Sequence, residues 1–290
     1  MLQVARLAPR QLGESRDLVI TFLRDHLNPD GGFQDRAGAS DLYYTVFGLD
    51  ALIALQEELP VEQTAAYLDR FEDGAGLDFV HLACLARAWS ALRRRPDNAV
   101  VDRLLAGIEA CRSDDGGYAT TPKASHGSAY GAFLAMGAYQ DLGRSLPDGE
   151  RVVRSLDRLR AADGSYANHP GLKSGVTTAT AAALLILRHL DAPLDRTAAL
   201  WILDRCHARG GFFAATATPV PDLLSTATAL HALSAMHVPL AGLRDPCLDF
   251  VDSLWTNRGG FFGSWADDAV DCEYTFYALL ALGHLSLDQS

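Results

Sequence analysis

Residues 271–275 read Asp-Cys-Glu-Tyr-Thr and run straight into an apolar stretch that continues to about residue 286. Asp271 and Glu273 are two carboxylates at i, i+2. In an apolar surrounding a carboxyl group holds its proton, and an ionised neighbour pushes in the same direction. Glu273 is therefore a candidate proton donor, with Asp271 orienting or tuning it and Tyr274 beside it. The plain structural alternative is local. Asp271 is a good N-cap, and a first-turn Glu273 complements a helix dipole.

The elements that would position these residues come from a repeat. A Gly-Gly-aromatic signal recurs as DGGF at 30–33, DGGY at 115–118, DGSY at 163–166, and GGFF at 210–213 and 259–262. A degenerate copy at 72–81 fills the wide gap between the first two, giving six units of roughly 40–50 residues. Each unit reads as two helices, over about 14–26 and 41–57, 60–71 and 78–93, 97–112 and 125–141, 148–160 and 174–190, 194–207 and 222–236, and 243–256 and 271–286. No run alternates for long enough to predict a strand. The second helices are apolar nearly all round, whereas the first carry a charged face. This predicts one all-α domain over residues 1–290, with an inner ring of six helices inside an outer ring.

Aligning the second helices gives two columns. The first holds Asp41, Asp78, Ser125, Ser174, Asp222 and Asp271, a set of expected N-caps. Three residues on stand Tyr44, His81, Ser128, Thr177, Ser225 and Tyr274, expected to surround the mouth of a central pocket with Tyr277. The aromatics Tyr43, Phe47, Phe79, Tyr130, Phe133 and Phe276 share these helices, either as core or as a pocket wall able to face a cation.

A formal net charge of -11 argues against a nucleic-acid or anionic-membrane surface. The N-terminus lacks the apolar core of a signal peptide, and the longest apolar run, within 176–187, is too short to span a bilayer. Five cysteines without CxxC spacing fit a reduced, cytoplasmic protein.

Six Gly-Gly-aromatic repeats ahead of apolar helices resemble the repeat of the prenyltransferase β-subunit and squalene (class II terpene) cyclase family, an α6–α6 toroid. The likeness covers nearly the whole chain. Residues 164–175 (GSYANHPGLKSG) resemble the Gly-Gly-Phe-x-x-Arg-Pro-Gly-x-Glu-Ser-His segment of the transferases. Residues 220–230 (VPDLLSTATAL) resemble their Asp-x-Cys-Tyr-Ser segment, and residues 270–282 their Asp-x-x-His-Thr segment. The transferases hold zinc with Asp, Cys and His. The matching positions here are Asp222, Leu224 and Tyr274, so zinc-activated thiol prenylation is not expected. Asp78 and His81 are a further Asp-x-x-His pair, read as a pocket wall and not as a metal site. Cys206-His207 reads as a helix end, and no thioester segment is present.

The cyclases open an inner helix with Asp-x-Asp-Asp-Thr, whose middle Asp protonates an alkene or epoxide. Registered on Thr275, that motif falls on Asp271-Cys272-Glu273-Tyr274, with Glu273 at the acid and Tyr274 in place of the third Asp; Asp267 and Asp268 could assist. The resemblance implies an isoprenoid substrate and acid-initiated cyclisation. Two alternatives stay open. One is prenyl transfer to a small molecule or peptide, with Lys123, His126, His169 and Lys173 as diphosphate contacts and Mg2+ brought by the diphosphate. The other is a non-catalytic toroid that binds lipid, a protein partner or a second copy of itself.

Overall fold

The computed structural model describes residues 1–194 and 196–287. Twelve helices carry the repeat: α1 (Arg16–Asp25), α2 (Leu42–Ala54), α3 (Val61–Asp69), α4 (Phe79–Ala91), α5 (Asn98–Glu109), α6 (Ala129–Asp141), α7 (Gly149–Asp157), α8 (Thr177–His189), α9 (Arg196–Leu203), α10 (Leu223–Ala235), α11 (Arg244–Asp252) and α12 (Cys272–Leu285). Short turns at Leu2–Ala5, Pro9–Leu12 and Gly13–Ser15 precede them, and residues 1–13 lie before the first helix that the periodicity predicts. Among the described residues, paired strands are limited to β1 (Phe33–Gln34) against β2 (Ser40–Asp41).

The Gly-Gly-aromatic signal forms the same turn each time. An isolated antiparallel bridge links Leu27 to Phe33, Arg112 to Tyr118, Arg160 to Tyr166, Cys206 to Phe212 and Trp255 to Phe261. The aromatic is a plug: Phe33, Tyr118 and Phe212 are each 0% exposed. Two residues earlier the backbone is left-handed, as at Gly210 with φ 82. A Cβ there would also lie 1.8 Å from the carbonyl oxygen of Pro246, so glycine is required twice over. A threonine in the following helix latches the turn. Thr45, Thr180 and Thr226 accept from the backbone N–H of Phe33, Tyr166 and Phe212 at 2.9, 3.0 and 2.9 Å.

The chain folds as two compact units. In the first, Met1–Pro60 with the chain from Ile202 onward, α12 packs against α2 and α10, and α11 and the Leu2–Ala5 turn also lie on α12. Almost every α12 residue from Thr275 to Leu285 is buried, matching its all-round apolar sequence. In the second unit, Val61–Trp201, α6 packs between α4 and α8.

The N-cap column holds at four of its six positions. Asp41, Asp78, Asp222 and Asp271 each cap their helix through the side chain. The third and fourth repeats differ. Ser128, not Ser125, caps α6, accepting from Gly131 N at 2.9 Å. α8 starts after Val176 with no side-chain cap, and the Ser174 hydroxyl donates to Asp163 at 2.6 Å. Ser128 and Thr177 are thus the cap and first residue of their helices, not residues one turn in. Thr177 is 0% exposed.

Candidate active site

The first turn of α12 begins at Asp271, in extended backbone conformation, whose Oδ1 accepts from Tyr274 N at 2.8 Å. Thr275 donates its hydroxyl to the Asp271 carbonyl at 2.7 Å, closing the same turn. Capping uses one carboxylate oxygen. The other accepts from Arg36 Nε at 2.8 Å, which neutralises a side chain that is only 2% exposed. Arg36 also holds Asp267 at 3.0 and 3.3 Å and lies over the Tyr274 ring, 5.5 Å from its centroid. Asp267 therefore shares the Arg36 guanidinium with Asp271, whereas Asp268 is exposed.

Glu273 projects from the same turn and is mostly buried. Tyr43 of α2 donates its hydroxyl to Glu273 Oε1 at 2.6 Å. Burial pushes the Glu273 carboxyl up to about 7, the Tyr43 bond opposes this, the Asp271 charge adds to it, and Arg36 offsets part of that charge. A carboxylic acid that keeps its proton near neutrality, next to a carboxylate that stays paired, is an arrangement able to donate a proton. Tyr43→Phe removes the one bond that favours the ionised form. The expected result is a Glu273 carboxyl that titrates above the wild-type midpoint, read from its side-chain 13C resonance. An unchanged or lower midpoint would contradict this electrostatic account.

Aromatic rings from two helices cluster with Tyr43, the residue that holds the acid. Tyr43 lies edge-on to Tyr44 at 5.7 Å and to Phe47 at 4.9 Å, and Phe47 lies 5.3 Å from Tyr277 and 5.9 Å from Phe276. Tyr274 lies 6.5 Å from Tyr277, its ring packed on Gly263, where a Cβ would fall 2.5 Å from it. Burial first, then the charges of Glu273 and its acidic neighbours, push the Tyr274 phenol up to about 12. Burial raises the Tyr44 phenol as well. Glu273, Asp271, Tyr274, Tyr44 and Tyr277 thus lie close together within the first unit.

Ser225 does not present a free hydroxyl. It donates to Asp222 Oδ2 at 2.7 Å and serves the cap of α10. In the second unit, His81 turns Nδ1 back to its own N-cap, Asp78 Oδ1, at 2.9 Å. His126 and His169 meet edge-on at 5.6 Å and line a cavity of about 320 Å³ with Asn168, Tyr130, Thr120 and Thr121. Lys123 and Lys173 are exposed and do not line it.

The zinc set of the resembling transferases finds no match in the donors present. Asp222 is engaged with both the backbone and the hydroxyl of Ser225, Leu224 offers no donor atom, and Tyr274 is a phenol held well above its ordinary range. Arg36 and Tyr43 are the functional neighbours that sequence reasoning does not connect to Glu273. They lie 235 residues from Asp271 and 230 from Glu273 along the chain, respectively.

The prenyltransferase alpha-alpha toroid domain family matches residues 14–83, 78–192 and 176–289. The chain belongs to this family. Its fold class is accordingly the all-α toroid of helical hairpins. Among solved structures, a variant of the type II terpene cyclase MstE from Scytonema, in complex with the substrate geranylgeranyl dihydroxybenzoate, is similar with a TM-score of 0.67 at 15% identity. That match covers 96% of this chain and 97% of the cyclase. Candida albicans protein geranylgeranyltransferase-I complexed with GGPP is similar at a TM-score of 0.62 and 12% identity, covering 82% of each chain. The polysaccharide lyase BACCELL_00875 is similar at 0.60 and 12%, covering 95% of this chain and 97% of the lyase. No curated protein matches by sequence. Among the described residues no helix is long and apolar enough to cross a membrane.

Proposed function

We propose that this member of the toroid family is an isoprenoid-binding enzyme that starts a cyclisation by protonating its substrate. The observation that carries the reading is the place of the Glu273 carboxyl, in the first turn of α12 beside the paired Asp271 and held by the Tyr43 hydroxyl at 2.6 Å, where burial pushes it up to about 7. The likeness to a polysaccharide lyase means that one fold serves unrelated chemistries, so the reading rests on the site.

In the proposed step the Glu273 O–H bond breaks and its proton forms a C–H bond with a terminal alkene, or an O–H bond with an epoxide. The alkene π pair forms the new C–H bond; with an epoxide an oxygen lone pair forms the O–H bond and the C–O bond then breaks with its pair going to oxygen, and either route leaves a carbocation and the Glu273 carboxylate. The next alkene in the chain closes a ring on the cation. Loss of a proton or capture of water ends the sequence, and solvent reprotonates Glu273. Tyr43, Tyr44, Phe47 and Tyr277 form an aromatic cluster beside the acid, and a ring face turned to the cation would be worth about 0.5–2 kcal/mol. Tyr43 keeps the carboxyl in one orientation, and the Asp271–Arg36 pair fixes the charge beside it. Among the described residues Cys84, Cys111, Cys206, Cys247 and Cys272 form no disulfide, which suits a reducing, cytoplasmic setting.

The reading is tested by incubating purified protein with farnesyl, geranylgeranyl and longer prenyl substrates across pH 5–9. Cyclised product is expected, with a rate that declines as pH rises through about 7 because the donor loses its proton. A rate that climbs over that range would contradict an acid role.

The His126–His169 cavity favours the second reading, prenyl transfer to a small molecule or peptide. If it takes a diphosphate, calorimetric titration with inorganic pyrophosphate will show binding that the His126→Ala/His169→Ala double variant weakens several-fold and Lys173→Ala leaves unchanged. Equal binding by wild type and the double variant would remove this reading.

A further inference from the structure

Arg36 stands on the turn between β1 and β2, a turn built by Asp35 Oδ1, which accepts from Ala37 N at 2.8 Å and Ala39 N at 2.9 Å. From there one guanidinium spans two carboxylates of a distant segment, Asp271 through Nε and Asp267 through its terminal nitrogens. Asp267 in turn accepts from Gly263 N at 3.2 Å and Ala269 N at 3.3 Å, so it organises the loop before α12. Gly263 is the residue on which the Tyr274 ring packs. Loop, helix cap and aromatic wall thus share one cation. Without it, Asp271 would remain buried, its charge balanced only by the helix N-terminus, two residues from Glu273.

We propose that Arg36 is the positioning residue of the acid step: by clamping Asp267 and Asp271 over the Tyr274 ring, it fixes the place and the charge of the carboxylate beside Glu273. The proposal rests on the reading of Glu273 as the acid. Tyr43 of α2, the N-cap Asp271 and Arg36 act on Glu273 itself, and the ionisable groups around them are Tyr44 of α2, Cys272, Tyr274 and Tyr277 of α12, Asp222 at the start of α10, and Asp35 and Asp267 of the two loops. Arg36 is the cation of this set. Its removal leaves the surroundings of Glu273 more negative, so the carboxyl grips its proton more tightly and donates it less readily.

The test is the 13C titration of the Glu273 side-chain carboxyl in the full-length protein, run on wild type, Arg36→Met, Arg36→Lys and Asp267→Asn. Arg36→Met is expected to raise proton affinity about tenfold, a one-unit rise in midpoint. Arg36→Lys is expected to restore most of the shift, since a cation remains, and Asp267→Asn to lower the midpoint by removing one carboxylate. In turnover assays Arg36→Met should lower kcat with little change in KM and move the descending limb of the pH–rate profile upward, with Arg36→Lys in between. A Glu273 midpoint that is the same in Arg36→Met and Arg36→Lys as in wild type overturns the proposal. If Arg36→Met fails to fold, Arg36→Gln, which also removes the charge, takes its place, and a Glu273 midpoint equal to wild type in that variant overturns the proposal. Should Glu273→Gln keep full turnover while these midpoints still respond, the acid reading fails and the electrostatic role of Arg36 stands.

Discussion

Glu273→Gln is expected to abolish cyclisation, lowering kcat by about 10³-fold or more, while the protein remains folded. General acids contribute about 10²–10⁴ to rate, and two other carboxylates nearby, the half-buried Asp222 and the buried Asp271, are engaged as helix caps. Glutamine keeps the shape and the acceptor for the Tyr43 hydroxyl but carries no transferable proton. The same change has a signature in stability. The folded carboxyl titrates near 7 and the ordinary value is 4.5, so folding binds a proton between those values. The stabilisation this gives is complete below about 4.5 and is lost as pH rises through about 7, a difference of at most about 3 kcal/mol. Chemical denaturation should therefore find Glu273→Gln more stable than wild type at pH 8, with the gap closing towards pH 4.5. Lost turnover with gained alkaline stability separates loss of the acid from misfolding. A variant that is less stable at pH 8 would show that the carboxyl is not held in its protonated form.

The second large effect concerns the repeat. Phe212→Ala is expected to cost about 3–5 kcal/mol of unfolding free energy. Phe212 is 0% exposed and bridges both Cys206 and Asp222, and its N–H is held by Thr226 at 2.9 Å. The Phe212 carbonyl also receives the N–H of Asp222, so this plug registers the start of α10. Thr226→Val is expected to cost about 1–3 kcal/mol, the penalty of one unpaired buried donor. Urea unfolding at constant m-value measures both. A cost below about 1 kcal/mol for Phe212→Ala would mean that the aromatic column does not hold the turns.

The fold was legible in the sequence because its signals are local. Apolar spacing near 3.6 marks the helices, and a left-handed glycine followed by a buried aromatic marks each turn. The caps at Asp41, Asp78, Asp222 and Asp271 were legible because Asp both accepts from the first-turn amides and tolerates extended backbone. Ser125 and Ser174 misled the register because serine is an equally good cap by type. Only the structure shows that Ser128 takes that position and that Ser174 serves Asp163 instead. Glu273 and Asp271 stood out by spacing. What tunes them did not, since Tyr43 and Arg36 approach from the other end of the chain and their pairing leaves no periodic trace. The reach of Lys123 and Lys173 was likewise invisible, while His126 and His169 do come together.

The central claim is that the proton beginning the reaction comes from Glu273. Turnover of a geranylgeranyl substrate in D2O, with mass analysis of the product, tests it most directly. Wild type is expected to yield cyclised product bearing one solvent-derived deuterium on the carbon that was protonated, and Glu273→Gln to yield none. Deuterated product formed by Glu273→Gln at the wild-type rate would contradict the claim.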